Sequence, residues 1–184
     1  IAGLTQIGRE RARLVVIDHR RSHLGAIDPD MLAGYSASTQ ETEKLVAAMK
    51  ITLEGRLPSA EVTPQQLKDR SWWTGPDIFL IVDNLDLVAD MAFAPLLSVL
   101  PHARDVGLHV VITRKSGGCV RALFQPFLAE IKDQSPFIIV LDADKDDGPL
   151  FGVRLKPQPP GRGVMIHHGT QQGLIQIAAA DMPE

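Results

Sequence analysis

The sequence predicts an α/β fold: a mostly parallel sheet flanked by helices, with an antiparallel hairpin near the C-terminal end. Three observations predict it. Four short apolar runs each stop at a polar residue: Leu14–Ile17 at Asp18, Ile78–Val82 at Asp83, Leu108–Ile112 at Thr113 and Pro136–Leu141 at Asp142. Helix signals fall between these runs. After Gly161 the pattern changes to two apolar segments, Gly163–Ile166 and Gly173–Ile177, around His167-His168-Gly169-Thr170. Continuous apolar strands are what a parallel sheet buried on both faces requires, and ligands of such sheets bind beyond the carboxyl ends of the strands.

Each connecting element has its own local cause. Ser38-Thr39-Gln40-Glu41 has the spacing of a capping box, and Leu45, Met49 and Ile51 or Leu53 follow on one helical face. Thr63-Pro64-Gln65-Gln66 opens a shorter helix with proline at its first position. A helix is expected over about residues 92–104, kinked or divided at Pro101, and another over about 119–132 after Gly117-Gly118. Pro157, Pro159 and Pro160 make a stiff extended connector into the hairpin.

Composition narrows the function classes. The chain has 184 residues, 45% of them hydrophobic and 22% charged, enough for one sizeable core. A formal net charge of −3 lowers the prior for a free-standing nucleic-acid binder. The single cysteine, Cys119, excludes an internal disulfide and a cysteine metal cluster, and fits a reducing compartment. No apolar run approaches the roughly 20 residues of a membrane span, and no signal peptide is visible. The chain begins at Ile1 inside an apolar segment, which reads as a piece cut from a longer polypeptide.

The strongest chemical signal is Asp77-Ile78-Phe79-Leu80-Ile81-Val82-Asp83-Asn84. An apolar strand ending in an acid is the Walker B pattern, where the carboxylate holds Mg²⁺ through water beside a nucleotide phosphate. Its alternative is a core strand followed by a polar turn. Asp105-Val106-Gly107-Leu108-His109-Val110-Val111-Ile112-Thr113-Arg114 then repeats the strand-and-polar-end theme. A hydroxyl such as Thr113 beside a γ-phosphate reports its presence by hydrogen bonding; otherwise Thr113 is only a strand end.

These stretches resemble the FtsK/SpoIIIE family. Arg104, Gly107, His109 and Thr113 fit the helix end and sensor strand that follow Walker B there. Ile17-Asp18-His19-Arg20-Arg21-Ser22-His23-Leu24-Gly25, Lys115-Ser116-Gly117-Gly118, Asp147-Gly148-Pro149-Leu150 and Pro157-Gln158-Pro159-Pro160-Gly161-Arg162-Gly163 resemble the last ATPase domain of the type VII (ESX) secretion motors. The resemblance covers about residues 1–178. It implies a RecA-like P-loop NTPase fold, as a single domain over residues 1–184, with ATP and Mg²⁺ as ligands. Nucleotide and Mg²⁺ contacts are implied for Asp83, Asn84, Thr113 and Arg114. Docking of the export signal of a secreted helical-hairpin (WXG100-type) substrate is also implied, as is assembly with the other ATPase domains of the motor and with copies of itself. The expected place is the cytoplasmic face of the membrane, held there through the parent complex, with no nucleic-acid partner. The alternative is a DNA translocase ATPase domain of the FtsK type, against which the acidic balance and the absence of a basic tail count.

Two departures limit the chemistry. No G-x-x-x-x-G-K-[ST] occurs, so the phosphate cradle and its lysine are missing from the sequence; the P-loop is expected upstream, making this an N-terminally truncated, degenerate domain. Asn84 stands where active relatives have glutamate. An amide positions water but is no carboxylate base, and losing such a group costs about 10²–10⁴ in rate.

Other residues are weaker signals. Arg162 is either a finger reaching a neighbour's nucleotide or a surface arginine at the hairpin start. Arg20, Arg21, Arg114 and Lys115 lie beyond strand ends, suited to phosphates or to acidic side chains of a partner. A groove for a partner helix is expected around Met91–Leu100 and Val120–Leu128, from Phe93, Leu96, Leu97, Phe124, Phe127 and Leu128, the alternative being core packing. Trp72 and Trp73 are either partner contacts or anchors. Asp142–Gly148 fails as a calcium loop, because the glycine comes late and Val153 replaces the bidentate glutamate. His167 and His168 are adjacent and would point to opposite faces of a strand. Cys119 reads as a small buried residue.

Overall fold

The computed structural model describes residues 6–142, 148–154 and 156–177. The chain divides into two compact units, one up to Arg114 and one from Lys115. The first holds a four-stranded parallel sheet in the order β2-β1-β3-β4: β1 is Ala12–Asp18, β2 Leu32–Ser36, β3 Asp77–Asp83 and β4 Leu108–Ile112. Register aligns the polar strand ends, with Asp18 opposite Asp83 and Ile17 opposite Ser36. Alternation puts Ala12, Leu14 and Val16 on one face, where they pack with Ile27, Met31 and Ile81. Beyond these residues β4 pairs only with β3 among the described residues, and its Val111 is 47% exposed.

Helix α1, Thr39–Glu54, begins where the capping residues predict: Ser38 accepts from the Glu41 N–H, and the Glu41 carboxylate accepts from the Ser38 hydroxyl and the Ala37 N–H. Those bonds hold the Glu41 carboxyl below its ordinary pKa. Its buried face is Thr42, Val46, Met49 and Leu53; Ile51 lies off it at 72% exposed. Helix α2, Pro64–Asp69, carries a complete capping box between Thr63 and Gln66. The helix expected over 92–104 is instead a series of 3-10 turns, Asp90–Leu96 and Leu100–His102. Pro95 and Pro101 lack the N–H that an α-helix needs there.

The strand Leu32–Ser36 was not foreseen. Gly34 lies against the Leu45 side chain, whose tip would have to turn aside for a Cβ at this position. In the second unit, helices α3, Cys119–Ala122, and α4, Pro126–Asp133, replace one expected helix, divided at Pro126. Strands β5 (Ile138–Val140), β6 (Arg162–His167) and β7 (Thr170–Gln176) form an antiparallel sheet. The fourth apolar run is thus a strand, but it pairs antiparallel with β6 rather than joining the parallel sheet. His168 and Gly169, at φ 49° and 68°, turn the hairpin, as two left-handed residues do in a type I′ turn. Cys119, Val140, Leu150, Val164 and Ile166 form this unit's core. The acidic stretch 143–147 lies outside the described residues.

Candidate functional site

The carboxyl edge of the parallel sheet gathers the chemistry-bearing side chains of the first unit. Asp83 ends β3 and Thr113 follows β4. The Thr113 hydroxyl donates to Asp83 Oδ1 at 2.6 Å, and the Asn84 side-chain amide donates to Asp83 Oδ2 at 2.9 Å. The Asn84 backbone N–H donates to Thr113 Oγ1 at 2.9 Å. Main-chain bonds reinforce the junction: Thr113 N–H to Val82 O and Leu85 N–H to Thr113 O, both 2.9 Å. Asn84 folds back this way because its φ is 54°, a left-handed conformation that asparagine tolerates better than most residues. Arg114 reaches Asp86 Oδ1 at 3.0 Å.

Asp18, one strand over, is fully buried. Its carboxylate accepts from the His23 N–H at 2.8 Å, the Tyr35 hydroxyl at 2.9 Å and the Arg20 N–H at 3.1 Å. Burial pushes this carboxyl up, but the His23, Tyr35 and Ser22 hydrogen bonds and the nearby His23 charge outweigh it and hold the pKa below the ordinary value. The same pair acts on Tyr35, whose phenol is pushed up to about 12 by burial and by donating to Asp18. Asp18 thereby pins the loop carrying Arg20, Arg21 and His23 at the sheet edge, and the His23 ring comes 3.8 Å from Asp83 Oδ2. His19 links the same edge to α1: its Nε2 lies 3.0 Å from Thr42 Oγ1 and its Nδ1 3.2 Å from Leu87 O.

The structure brings together Asp83, Asn84 and Thr113 as the sequence implies, with Arg114 beside them in an ion pair. It also adds Asp18, His23 and His19, to which the sequence reading gave no role of their own. Arg162 is exposed at the start of β6. The expected groove does not survive as a surface. Phe93 and Leu96 are fully buried in the first unit, and Phe127 and Leu128 are buried in the second, because each fills a core position. Only Leu97, half-buried, and Phe124, 81% exposed, remain reachable. Trp72 and Trp73 are anchors: their ring N–H groups donate to Arg56 O at 2.7 Å and Asp105 O at 2.8 Å.

A divalent cation finds few ligands here. Both Asp83 oxygens already accept from donors, the neighbouring groups are a hydroxyl, an amide and an imidazole, and no cluster of three metal-ligating side chains occurs among the described residues. Mg²⁺ demands near-octahedral oxygen coordination. The residues present do not fit a metal bound directly by the protein.

No family model matches the sequence. Relatives do. Over 177 residues the chain is 40% identical to the ESX-4 secretion system protein EccC4 of Mycobacterium tuberculosis, covering 94% of this chain and 14% of that protein. It is 42% identical over 173 residues to the ESX secretion system protein EccC of Thermomonospora curvata, covering 92% of this chain and 13% of that one. The chain is homologous to the C-terminal ATPase domains of EccC. Two solved structures of the T. curvata EccC agree with this. The cytoplasmic domain superposes with a TM-score of 0.87 at 39% identity, covering 95% of this chain and 21% of that one. ATPases 2 and 3 in complex with a signal sequence peptide superpose at 0.86 and 40% identity, covering 95% and 32%. The chain therefore shares their fold, a mostly parallel sheet with helices and an antiparallel hairpin, and the proteins it is homologous to are ATPases of ESX secretion, of whose length it spans about one seventh. No described helix is long and apolar enough to cross a membrane.

Proposed function

We propose that this chain is a regulatory nucleotide-binding module of a type VII secretion motor, one that takes up ATP without turning it over and docks the export signal of a secreted helical-hairpin substrate. The observation that carries the reading is Asn84. It follows the Walker B carboxylate and donates its amide to Asp83, so position 84 offers no carboxylate base to an attacking water. Thr113 and Arg114 are assigned to the phosphate side, and the reading requires a P-loop from elsewhere in a parent chain. Magnesium arrives with the nucleotide, held by its phosphates. Docking is supported by the relative described with a signal sequence peptide. We assign Phe124 to that contact, since among the described residues it is the most exposed large apolar side chain of the second unit. Through the parent complex the module works at the cytoplasmic face of the membrane, beside the other ATPase domains.

Calorimetry with Mg-ATP tests the reading, on this chain and on a form extended upstream through the P-loop. Binding by the extended form with negligible phosphate release supports it. Turnover at the rate of an active ATPase refutes the regulatory role. Absence of binding by both forms leaves a protein-docking surface as the function, and a signal peptide then has to bind the wild type and lose affinity in Phe124→Ala.

A further inference from the structure

We infer that Asn84 is a positioning residue that, together with Thr113, occupies the Asp83 carboxylate and so disfavours direct binding of a divalent cation by it. The two Asp83 oxygens are divided between two donors, Thr113 on Oδ1 and the Asn84 amide on Oδ2. Thr113 in turn accepts from the Asn84 N–H, so the three residues form a closed ring of hydrogen bonds. With 15% of its side chain exposed and the His23 Nε2 3.8 Å from Oδ2, Asp83 has little room for a hydrated ion.

The residue type at position 84 decides this. A carboxamide donates to Oδ2 and compensates its charge. A glutamate or aspartate there could only accept, and would set a second negative charge against the first. Two adjacent carboxylates would attract a cation strongly, while a single carboxylate whose two oxygens each already accept from a neutral donor attracts it less. Asn84 is therefore more than a lost base: its amide engages the Asp83 oxygen that a directly bound cation would need. This inference concerns the chain's own carboxylate and stands whether or not nucleotide is taken up.

The test is a Mn²⁺ chloride titration of the ¹⁵N-labelled chain without nucleotide, reading paramagnetic broadening at the Asn84 side-chain amide and at the Thr113 and Leu85 backbone amides. Wild type should broaden at these positions no earlier than at isolated surface carboxylates. Asn84→Asp, which keeps the left-handed backbone accessible but loses the donor, should broaden at Thr113 and Leu85 at about tenfold lower Mn²⁺, since cation affinity follows ligand charge. Asn84→Gly keeps the backbone conformation with no side chain, and should fall between the two. It also serves if Asn84→Asp does not fold. Broadening of wild type at the same Mn²⁺ as Asn84→Asp overturns the inference. So does a failure of both variants to gain any response, because the amide would then not be what excludes the ion.

Discussion

Replacing Asp18 by asparagine removes one charge and almost no volume, at a site that is fully buried. The amide oxygen can take the Oδ2 position and keep the His23 N–H and Tyr35 hydroxyl, bonded at 2.8 and 2.9 Å. The NH₂ group must then face the Arg20 N–H, which sits 3.1 Å from Oδ1, donor against donor. Hydrogen bonds to a charged acceptor are worth about 1.5–3 kcal/mol each, and an orphaned buried donor costs about 1–3 kcal/mol. The expected loss is about 3 kcal/mol. For a chain of this length that lowers Tm by about 6–12 °C. The sign of the pH dependence follows from the depressed carboxyl. Its stabilisation is fully present above the unfolded pKa near 3.8 and is lost as pH falls through the lower folded value. Wild type should lose this stabilisation as pH falls below the unfolded value near 3.8 and through the lower folded value, and Asp18→Asn should lose less over that range. Thermal melts followed by circular dichroism at several pH values give both numbers. A variant that melts within about 2 °C of wild type, with the same acid slope, would refute the assignment of Asp18 as the pin of the arginine loop.

Three further outcomes follow from named contacts. Tyr35 is the only tyrosine, so near-UV phenolate absorbance reads it alone: it should titrate at about 12 in wild type and move back toward 10.0 in Asp18→Asn. Arg56→Lys should cost about 2–3 kcal/mol, because an ammonium cannot reproduce a planar fork that donates to Val106 O and Pro76 O, each at 3.0 Å, while lying over the Trp73 ring; denaturant unfolding with tryptophan emission checks it, with a red shift expected in the native state. Gly107→Ala should cost about 2–4 kcal/mol, measured the same way, since φ is +68° and a Cβ would come 2.5 Å from Trp73 Cη2 and 2.6 Å from Asp77 Oδ1.

Those elements that announce themselves locally were the legible ones. Strands β1, β3 and β4 are continuous β-branched runs, and both expected N-caps form. The strand Leu32–Ser36 carries no such signal. It exists because β1 offers an edge and Gly34 lets Leu45 close on it. The run at 136–141 shows the limit of periodicity, which identifies a strand but not the strand it pairs with. In the groove, an apolar helix face looks the same in sequence whether it meets a partner or the chain's own core, and Phe93 and Phe127 took the core. At the site, the apolar run read as Walker B is strand β3, with Asp83 at its end and Asn84 after it. The bond between them depends on the left-handed turn at Asn84, and the neighbouring His23 is brought in by Asp18 from another strand; neither is visible as spacing.

The edge position of β4 in the first unit's sheet has a practical consequence for anyone handling this chain in isolation. Among the described residues Leu108-His109-Val110-Val111-Ile112 pairs along one side only, with β3, and it carries neither lysine, nor proline, nor bulge. Such an edge is a template for another copy, so solubility should fall with concentration long before the fold itself is stressed. Lysine at position 111, which is already half in water, should suppress that association while leaving the melting temperature nearly unchanged.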